Sequence, residues 1–199
     1  MHIAIEGTDG VGKTTAAKLL TKSLHAVLIE KPLQYLLDEG GAMEQYLRMS
    51  KMINAQPSLN LRAWFYGLGN IYFSQYLVNE NVVTDRYFLS NYAWNSCEEN
   101  QGLFDVLAQQ LRHPDHTFLL TADEEILRSR ILSRDPDDKD LDKLDRANFF
   151  QERLKQGLIR YGFAHTVLDC SELTPEEVHR EMLSVLRSQK LVPCSGEDV

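Results

Sequence analysis

The chain has 199 residues, of which 43% are hydrophobic and 25% are charged, a composition that suits one folded domain with a sizeable core. Its formal net charge of −8 argues against broad binding to nucleic acids or anionic membranes. The three cysteines, Cys97, Cys170 and Cys194, form no CxxC pair, and no apolar segment is long enough to span a bilayer. We therefore expect a cytoplasmic protein with reduced thiols that binds neither nucleic acid nor membrane.

Short apolar runs alternate with longer segments of helical period, which is the pattern of βαβ units around a parallel sheet. The predicted strands are His2–Glu6, Ala26–Glu30, Asn81–Asp85, His116–Thr121 and His165–Asp169. The predicted helices are Gly12–Ser23, Gly41–Lys51, Ser58–Asn79, Ser90–Asn100, Leu103–Arg112, Asp123–Arg134, Arg146–Tyr161 and Pro175–Gln189. The sequence therefore predicts an α/β fold.

Residues 1–190 are predicted to form a single domain, and residues 191–199 are predicted to be a disordered tail. Within the domain, residues 134–145 (RDPDDKDLDKLD) are charged and carry almost no apolar anchors, so we expect them to be mobile without a ligand. On composition alone, this segment fits a lid over a site and a plain solvated loop equally well.

The strongest motif is EGTDGVGKTT, residues 6–15, between the first predicted strand and the first helix. Gly7 to Thr14 match the phosphate-binding pattern G-x-x-x-x-G-K-[ST]. Glycines let successive backbone N–H groups point at one anion, and the helix adds its positive end. Lys13 is predicted to contact the terminal phosphates, and the Thr14 hydroxyl to bind Mg²⁺. The predicted polyphosphate site comprises Gly7, Asp9, Gly10, Val11, Gly12, Lys13, Thr14 and Thr15.

A second motif, NVVTDRY, ends the third predicted strand with Asp85 and Arg86. A carboxylate at this edge of a parallel sheet is suited to hold Mg²⁺ beside a phosphate-binding loop. Arg86 is suited to hold a second phosphate, although without the loop an ion pair of purely structural role would be the better interpretation. Asp9 would repel a phosphate, so we expect it to accept from a neutral donor such as a sugar hydroxyl.

Three segments together resemble the thymidylate kinase family: IEGTDGVGKTT, DRYFLSNYAW (residues 85–94) and FFQERL (residues 149–154). The resemblance runs over nearly the whole chain. It implies a P-loop NTPase fold with five parallel strands flanked by helices and a mobile lid. It also implies ATP with Mg²⁺ as the phosphate donor, a nucleoside monophosphate as the acceptor, and a homodimer. Deoxynucleoside kinases of the same P-loop family usually carry Glu-Arg-Ser in place of Asp-Arg-Tyr.

The resemblance also implies roles for individual residues. Asp9 would bind the 3′-hydroxyl of the acceptor and Arg86 its phosphate. Ser90 and Asn91 would contact the edge of the base. Trp94 stands where the family has a tyrosine near the 2′ position of the sugar, and a bulky ring there would favour deoxyribose. A plain core aromatic explains Trp94 equally well.

Some family members carry an arginine where this chain has Gly10, so the charge that stabilises the transferred phosphoryl group must come from elsewhere. The segment RSRILSRD offers Arg128, Arg130 and Arg134, of which the last two lie one helical turn apart. We therefore predict Arg130 and Arg134 as catalytic, ahead of Arg128, while a solvated helix face is the alternative.

Two departures from the family pattern concern the acceptor. Phe65 aligns with the phenylalanine that stacks on the base, but Gly69 replaces the arginine that contacts thymine. The glycines of YGLGN either leave room for a different or larger base, with Asn70 as a nearby polar contact, or simply allow close helix packing. At EKP, Lys31 would replace an arginine on the acceptor phosphate as a point charge, with the Tyr35 hydroxyl beside it.

The sequence thus predicts a kinase that transfers the γ-phosphoryl group of ATP to a pyrimidine nucleoside monophosphate. One alternative changes the acceptor to a cytosine-type or base-modified nucleotide. A second is an unphosphorylated nucleoside, for which Glu30 would serve as the general base. An alternative from another class is an ATP-binding switch without a small acceptor.

Overall fold

The computed structural model describes residues 1–38, 40–77 and 81–193. Five parallel strands form one sheet in the order β2-β3-β1-β4-β5. The strands are β1 (His2–Gly7), β2 (Val27–Glu30), β3 (Val82–Asp85), β4 (His116–Thr121) and β5 (His165–Asp169). The predicted α/β fold with a five-stranded parallel sheet is confirmed, and each predicted strand is present to within one residue at either end.

Helices cover both faces of the sheet because successive side chains of a strand point to opposite faces. The helices are α1 (Lys13–Ser23), α2 (Gln34–Leu37), α3 (Met43–Asn54), α4 (Leu59–Tyr72), α5 (Phe88–Asn95), α6 (Gln101–Gln110), α7 (Glu124–Arg134), α8 (Ala147–Tyr161) and α9 (Pro175–Ser188). Ala4 packs in the core with α4, α5, α6 and α8. Its neighbours Ile3 and Ile5 pack in the core with α1, α7 and α9.

The carboxyl ends of the strands meet at one edge of the sheet, since all five are parallel. There the register places Asp85 of β3 beside Ile5 of β1 and beside Glu30 of β2. β1 lies between β3 and β4. The connection after β1 runs towards β2 at one edge of the sheet, whereas the connection after β4 runs towards β5 at the other edge. In open α/β sheets this arrangement creates a crevice that binds ligands.

The long helix predicted for Ser58–Asn79 is α-helical only as far as Tyr72 and continues as a π-helical turn, Phe73–Leu77. The wider turn begins at Phe73, whose ring is fully buried 4.8 Å from the ring of His2. Packing at the base of the sheet thus decides where this α-helix ends. Residues 78–79 of the prediction lie outside the described residues.

The helix predicted for Ser90–Asn100 is wrong at both ends. It starts earlier, at Phe88, because the backbone N–H groups of Tyr87 and Ser90 donate to the buried Glu6 carboxylate. It ends at Asn95, whose carbonyl oxygen accepts from the side chain of Asn100. A short 3₁₀ turn, Glu98–Asn100, then leads directly into α6. Three further helices differ from the prediction: α2 was not predicted, α3 begins and ends later than Gly41–Lys51, and α6 begins and ends two residues earlier than Leu103–Arg112.

The segment predicted as a mobile lid has regular structure in its second half, where residues 139–146 form a 3₁₀ helix. Leu144 is an apolar anchor that the composition did not indicate, since its side chain is only 3% exposed. The mobility of the segment stays a prediction.

Leu191 and Val192, the first residues of the predicted C-terminal tail, pack against the core. Residues 194–199, which contain Cys194, lie outside the described part of the chain. Among the described residues, no helix combines the length and apolar character that crossing a membrane requires.

Candidate active site

The loop between β1 and α1 has a backbone that only glycine adopts readily. Gly10 has a φ of 84°, and a Cβ atom there would lie 2.8 Å from the side chain of Ile131 on α7. Gly12 has a φ of 102° and precedes the first turn of α1. An arginine at position 10 would therefore be strained and would crowd Ile131, so the loop as folded here does not readily accommodate one.

Lys13 is the buried cation of this loop, with its side chain 7% exposed. Its Nζ donates to the carbonyl oxygen of Thr8 at 2.6 Å and lies 3.9 Å from the Asp9 carboxylate. Burial and the charge of Arg86 lower the pKa of Lys13 to about 8, against the opposite effect of Asp9. Lys13 therefore loses its proton at a pH only slightly above the physiological range.

Two oxygen donors suited to Mg²⁺ meet beside Lys13. The Thr14 hydroxyl donates to the Asp85 carboxylate at 2.5 Å, which joins the start of α1 to the end of β3. Within the described residues, no group of three or more His, Cys, Asp or Glu side chains could hold a metal ion by itself. The pair therefore fits Mg²⁺ held by few protein oxygens and by phosphate oxygens.

Arg86 is held in place by three groups at the sheet edge. Its guanidinium donates to the carbonyl oxygen of Gly7 at 3.3 Å, to the Ser90 hydroxyl at 3.0 Å and to the Asp9 carboxylate. Burial lowers the pKa of Arg86, but the carboxylates of Asp9, Asp85 and Glu6 together raise it above its ordinary value. The positive charge is thus fixed beside the phosphate-binding loop.

Glu6 was not predicted as a site residue, although it belongs to the first motif. Its carboxylate is fully buried and accepts from the backbone N–H groups of Tyr87 (2.9 Å) and Ser90 (3.2 Å) and from the Ser90 hydroxyl. Burial raises its pKa above the ordinary value, while these donors and Arg86 act in the opposite direction. A charged residue inside an otherwise apolar strand was the sequence signal that could have identified it.

Ser90 and Asn91, predicted to contact the base, both have partners within the protein. The Ser90 hydroxyl connects Glu6 to Arg86. The Asn91 amide donates to the carbonyl oxygen of Ala63 at 3.0 Å and accepts from Asn95 at 2.9 Å. Contact of Ser90 and Asn91 with the base stays a prediction.

Apart from the buried Glu6, the side chains described above line one cavity of about 1060 Å³, which is larger than most sites for a single small ligand. Every residue predicted for the site lines it except Gly7 and Tyr35. Gly7 ends β1 and contributes its carbonyl oxygen to Arg86. Tyr35 packs against the core instead, so its predicted hydroxyl contact with the acceptor phosphate is not supported. Lys31 lines the cavity, is exposed, and has a φ of 48°.

The helix α4 forms the far wall of this cavity with side chains spaced three and four residues apart. Phe65 lines the cavity and stacks on Tyr46 of α3 at 5.9 Å, a neighbour that the sequence did not reveal. The spacing itself was a usable signal, because residues at these intervals share one helix face. The cavity-facing residues of α4 are Arg62, Phe65, Tyr66, Gly69 and Asn70.

Of the two interpretations of the α4 glycines, the structure favours close packing over spare room for a larger base. A Cβ atom at Gly69 would lie 3.2 Å from the Cβ atom of Leu33, in the loop after β2. A Cβ atom at Gly67 would lie 2.9 Å from the side chain of Leu107 on α6. Close packing therefore explains both glycines, and Leu33 occupies the space beside position 69.

The predicted catalytic arginines, Arg130 and Arg134, both line the cavity. Arg130 donates to the carbonyl oxygen of Cys170 at 2.7 Å. Arg134 bonds the carboxylates of Asp138 and Asp140 within the lid segment. Arg128 does not line the cavity and pairs with Glu124 instead. Arg146, which the sequence interpretation did not single out, also lines the cavity.

Trp94 belongs both to the cavity wall and to the core. It lines the cavity and stacks on Phe150 with ring centroids 4.3 Å apart. Together with Asp9, Asp140 and Leu144, it also lines a small void between the phosphate-binding loop and the lid segment. Both interpretations of Trp94 are therefore compatible with its position.

The fold resembles those of several solved kinases. A thymidylate kinase from Candida albicans matches 95% of this chain and 92% of its own at 18% identity, with a TM-score of 0.68. A thymidylate kinase from Ehrlichia chaffeensis matches at 20% identity over 94% of this chain and 98% of its own, with a TM-score of 0.63. A deoxyadenosine kinase from M. mycoides matches 94% of this chain and 100% of its own at 20% identity, with a TM-score of 0.62.

Sequence relatives point to one family. A probable thymidylate kinase from Methanocaldococcus jannaschii is 28% identical over 189 residues, covering 94% of this chain and 96% of the relative. A thymidylate kinase from Sulfurovum sp. is 25% identical over 198 residues, covering 94% and 100%. The family model for thymidylate kinase matches residues 5–182, which include the phosphate-binding loop, the sheet edge and the lid segment. The chain therefore belongs to the thymidylate kinase family of phosphotransferases.

Proposed function

We propose that this nucleoside monophosphate kinase transfers the γ-phosphoryl group of ATP to the phosphate of a pyrimidine deoxynucleoside monophosphate. The proposal rests on one observation. The phosphate-binding loop and Arg86 line the same cavity, and the volume of that cavity is larger than a single small ligand requires. A site for a donor alone would need neither a second fixed cation nor an aromatic wall such as Phe65 and Tyr46 provide.

The donor end is the loop from Asp9 to Thr15. Its backbone N–H groups and the N-terminus of α1 bind the phosphates, and Lys13 adds a charge at the β- and γ-phosphates. Thr14 and Asp85 would hold Mg²⁺, which, when bound, neutralises charge on the phosphates. Their hydroxyl and carboxylate oxygens are the ligand types that this ion prefers.

The acceptor end begins at Arg86, which binds the acceptor phosphate and fixes its distance from the donor. Lys31 adds a second positive charge at the cavity edge. The Asp9 carboxylate accepts from the 3′-hydroxyl of the sugar, and Trp94 crowds the 2′ position. Phe65 of α4 stacks on the base. These assignments are supported by the common cavity and by the positions of the residues within the family motifs.

The chemistry needs positioning more than proton transfer. An oxygen of the acceptor phosphate attacks the γ-phosphorus, and the bond from that phosphorus to the β–γ bridging oxygen breaks, leaving ADP and a nucleoside diphosphate. The attacking oxygen is already anionic, so no general base is required. Lys13, Arg86 and the arginines of α7 stabilise the charge that develops during transfer, and lid closure would keep out water.

A panel of acceptors with ATP and Mg²⁺ tests the proposal, with ADP formation and acceptor phosphorylation both measured. We expect turnover of thymidine monophosphate and little turnover of thymidine. Turnover of thymidine but not of its monophosphate would identify a nucleoside kinase, for which Glu30 is the candidate general base. ATP hydrolysis that no acceptor accelerates would instead identify a switch protein.

We further propose that two copies of the chain associate through α4. A face of α4 that does not line the cavity carries three exposed apolar side chains spaced three and four residues apart: Leu61, Trp64 and Leu68. An exposed apolar stripe of this kind marks a protein interface. Light scattering should give twice the mass of one chain, and Trp64→Glu should give the mass of a monomer.

A further inference from the structure

Arg153 of α8 binds the C-terminal end of α5 with two nitrogens of its guanidinium. Its Nε donates to the carbonyl oxygen of Ala93 at 2.8 Å, and its Nη2 donates to the carbonyl oxygen of Ser96 at 2.7 Å and to the Ser96 hydroxyl. In a continuing helix the Ala93 carbonyl would accept from the N–H of Cys97, but that N–H donates to the side chain of Asn100 at 2.8 Å instead. Arg153 therefore supplies hydrogen bonds that the end of this helix lacks.

The guanidinium of Arg153 is also held by two aromatic rings. Its Cζ lies 5.5 Å from the ring centroid of Phe149 and 5.6 Å from that of Tyr92, distances at which a ring face attracts a cation. A positive charge at the C-terminal end of a helix is favourable as well, because the helix dipole is negative there. A lysine would keep the charge, but only the planar fork of an arginine can hold two carbonyl oxygens in this geometry.

α8 packs along α5 with residues that share one face of α8. Phe150 stacks on Trp94, near the end of α5, with ring centroids 4.3 Å apart. At Gly157 a Cβ atom would lie 2.8 Å from the side chain of Leu89, near the start of α5. Arg153 lies between these two contacts in the sequence of α8. The position of α5 is therefore set by its contact with α8.

α5 forms part of the cavity wall, whereas Arg153 does not line the cavity. The helix has eight residues, and a helix this short depends on tertiary contacts because it makes few hydrogen bonds of its own. A change at Arg153 would therefore reach a bound nucleotide through the position of α5. The cavity-lining residues of α5 are Ser90, Asn91, Trp94 and Asn95.

Arg153 belongs to FFQERL, a segment to which the proposed mechanism assigns no role. We infer that Arg153 is a positioning residue for the acceptor: by joining α8 to the end of α5, it holds the cavity-lining side chains of α5 where the acceptor nucleotide meets them. The inference rests on the proposed function, because α5 lies at the acceptor end of the proposed site. The donor end is built from the loop after β1 and the start of α1, so ATP binding should change little.

The test is Arg153→Lys, which keeps the positive charge but replaces the planar fork by one ammonium group. The KM for thymidine monophosphate should rise about fivefold or more, because the wall that meets this nucleotide shifts, while the KM for ATP stays within about twofold of the wild-type value. A purely structural role would lower the melting temperature and leave both KM values unchanged.

The matched control is Arg160→Lys on the same helix. The Arg160 guanidinium also forms a two-pronged contact, with both carboxylate oxygens of Asp105 at 3.0 Å, and its Cζ lies 5.7 Å from the ring centroid of Tyr161. It joins α8 to α6, whose residues do not line the cavity. Arg160→Lys should therefore leave both KM values within about twofold of the wild type.

Gly157→Ala is a second variant, which changes the same interface without altering Arg153. The added methyl group would crowd Leu89 and Tyr92, both of which are buried and have little room to move. Alanine suits a helix interior better than glycine, so we expect this variant to fold. It should raise the KM for thymidine monophosphate about threefold or more and leave the KM for ATP within about twofold.

Three results with Arg153→Lys would overturn the inference while leaving the kinase activity intact. They are a rise in the KM for thymidine monophosphate below about fivefold, an equal rise in the KM for ATP, and an equal rise in Arg160→Lys. If Arg153→Lys is not recovered as a folded protein, Gly157→Ala decides in its place by the KM changes predicted for it. A wild-type protein that phosphorylates no pyrimidine monophosphate would overturn the proposed function, and this inference with it.

Discussion

Burial and neighbouring charges lower the pKa of Lys13, so its charge should depend on pH. Its pKa of about 8 means that the free protein loses this charge as the pH rises through that value. A bound polyphosphate stabilises the ammonium and raises its pKa again. We therefore predict that kcat/KM for ATP falls above pH 8, whereas kcat stays level to a higher pH, when initial rates are measured between pH 6.5 and 9.5.

The exposed Lys18 provides the control for this prediction, because it lies on the same helix but outside the cavity. Lys18→Arg should leave the break in kcat/KM at the same pH. If kcat/KM for ATP is level through pH 9.5, Lys13 does not supply the charge that the account assigns to it.

Glu6 is a positioning residue for Arg86 and for the first turn of α5. Glu6→Gln keeps the size of the side chain but removes the charge that faces Arg86 and an acceptor for the Ser90 hydroxyl. A hydrogen bond to a charged group contributes about 1.5–3 kcal/mol. We therefore expect the KM for the acceptor nucleotide to rise about tenfold or more, with the KM for ATP nearly unchanged, in steady-state kinetics.

Asp105→Asn is the matched substitution for Glu6→Gln. Asp105 also faces an arginine, Arg160, with oxygen–nitrogen distances of 3.0 Å, but it lies away from the cavity. Its KM values should equal those of the wild type. Equal KM values for Glu6→Gln as well would show that Arg86 does not depend on Glu6.

At the scale of helices, strands and loops, the sequence correctly predicted the features that depend on local sequence pattern. The glycines and Lys13 of the phosphate-binding loop occur where the motif requires them, and strands such as His116–Thr121 are marked by short apolar runs. It did not predict where α5 begins, because the groups that start this helix donate to Glu6, which lies 81 residues before Tyr87. Helix ends set by contacts between distant residues carry little local signal.

The same limit explains the errors in the site. The sequence left open whether Gly69 provides room or allows close packing, because Leu33, which packs against it, belongs to a distant loop. Tyr46 stacks on Phe65 from another helix and is part of no motif. Asn70 was predicted as a polar contact, but only the structure reveals that its amide lacks a partner within the described residues. Motifs reveal residues that bind phosphates, whereas packing decides the shape around the base.

In the proposed mechanism, the lid segment and α7 together supply positive charge to the transferred phosphoryl group. The side chain of Arg134 is 55% exposed in its ion pairs with Asp138 and Asp140. Exposed ion pairs contribute about 0–1 kcal/mol, so a phosphate can take their place at low cost. We predict that Arg134→Ala lowers kcat by about 10²–10³-fold, as measured by ADP formation, without a large loss of stability.

Arg128→Ala is the control on the same helix, since Arg128 pairs with Glu124 and does not line the cavity. Its kcat should remain within about twofold of the wild type, as for a solvated surface residue. Wild-type kcat values for both Arg134→Ala and Arg130→Ala would exclude α7 as the source of the catalytic charge.

At the scale of the whole molecule, a buried histidine makes the sheet sensitive to acid. His2 is fully buried between the rings of Phe73 and Tyr87, and burial together with the charge of Arg112 lowers its pKa to about 3. The unfolded chain therefore binds more protons between pH 3 and 6.5. The contribution of His2 is complete above pH 6.5, and about 2 kcal/mol of it is lost by pH 5.

Denaturant unfolding at pH 7 and pH 5 measures this loss. His2→Phe keeps an aromatic ring in the cluster but cannot titrate, so its free energy of unfolding should fall less between the two pH values than that of the wild type. An equal fall in both proteins would mean that His2 is not the group responsible. His116, whose pKa burial lowers to about 4, acts in the same direction and remains in both proteins.

The central claim is that one cavity binds two nucleotides with their phosphates facing each other. A probe in which adenosine and thymidine are joined 5′ to 5′ through five phosphates would occupy both ends at once, and its dissociation constant can be measured by calorimetry with Mg²⁺ present. Once one end of the probe is bound, binding of its other end becomes intramolecular. We therefore predict that the probe binds at least tenfold more tightly than ATP and that thymidine monophosphate competes with it. A probe that binds no more tightly than ATP, and that thymidine monophosphate does not displace, would contradict the claim.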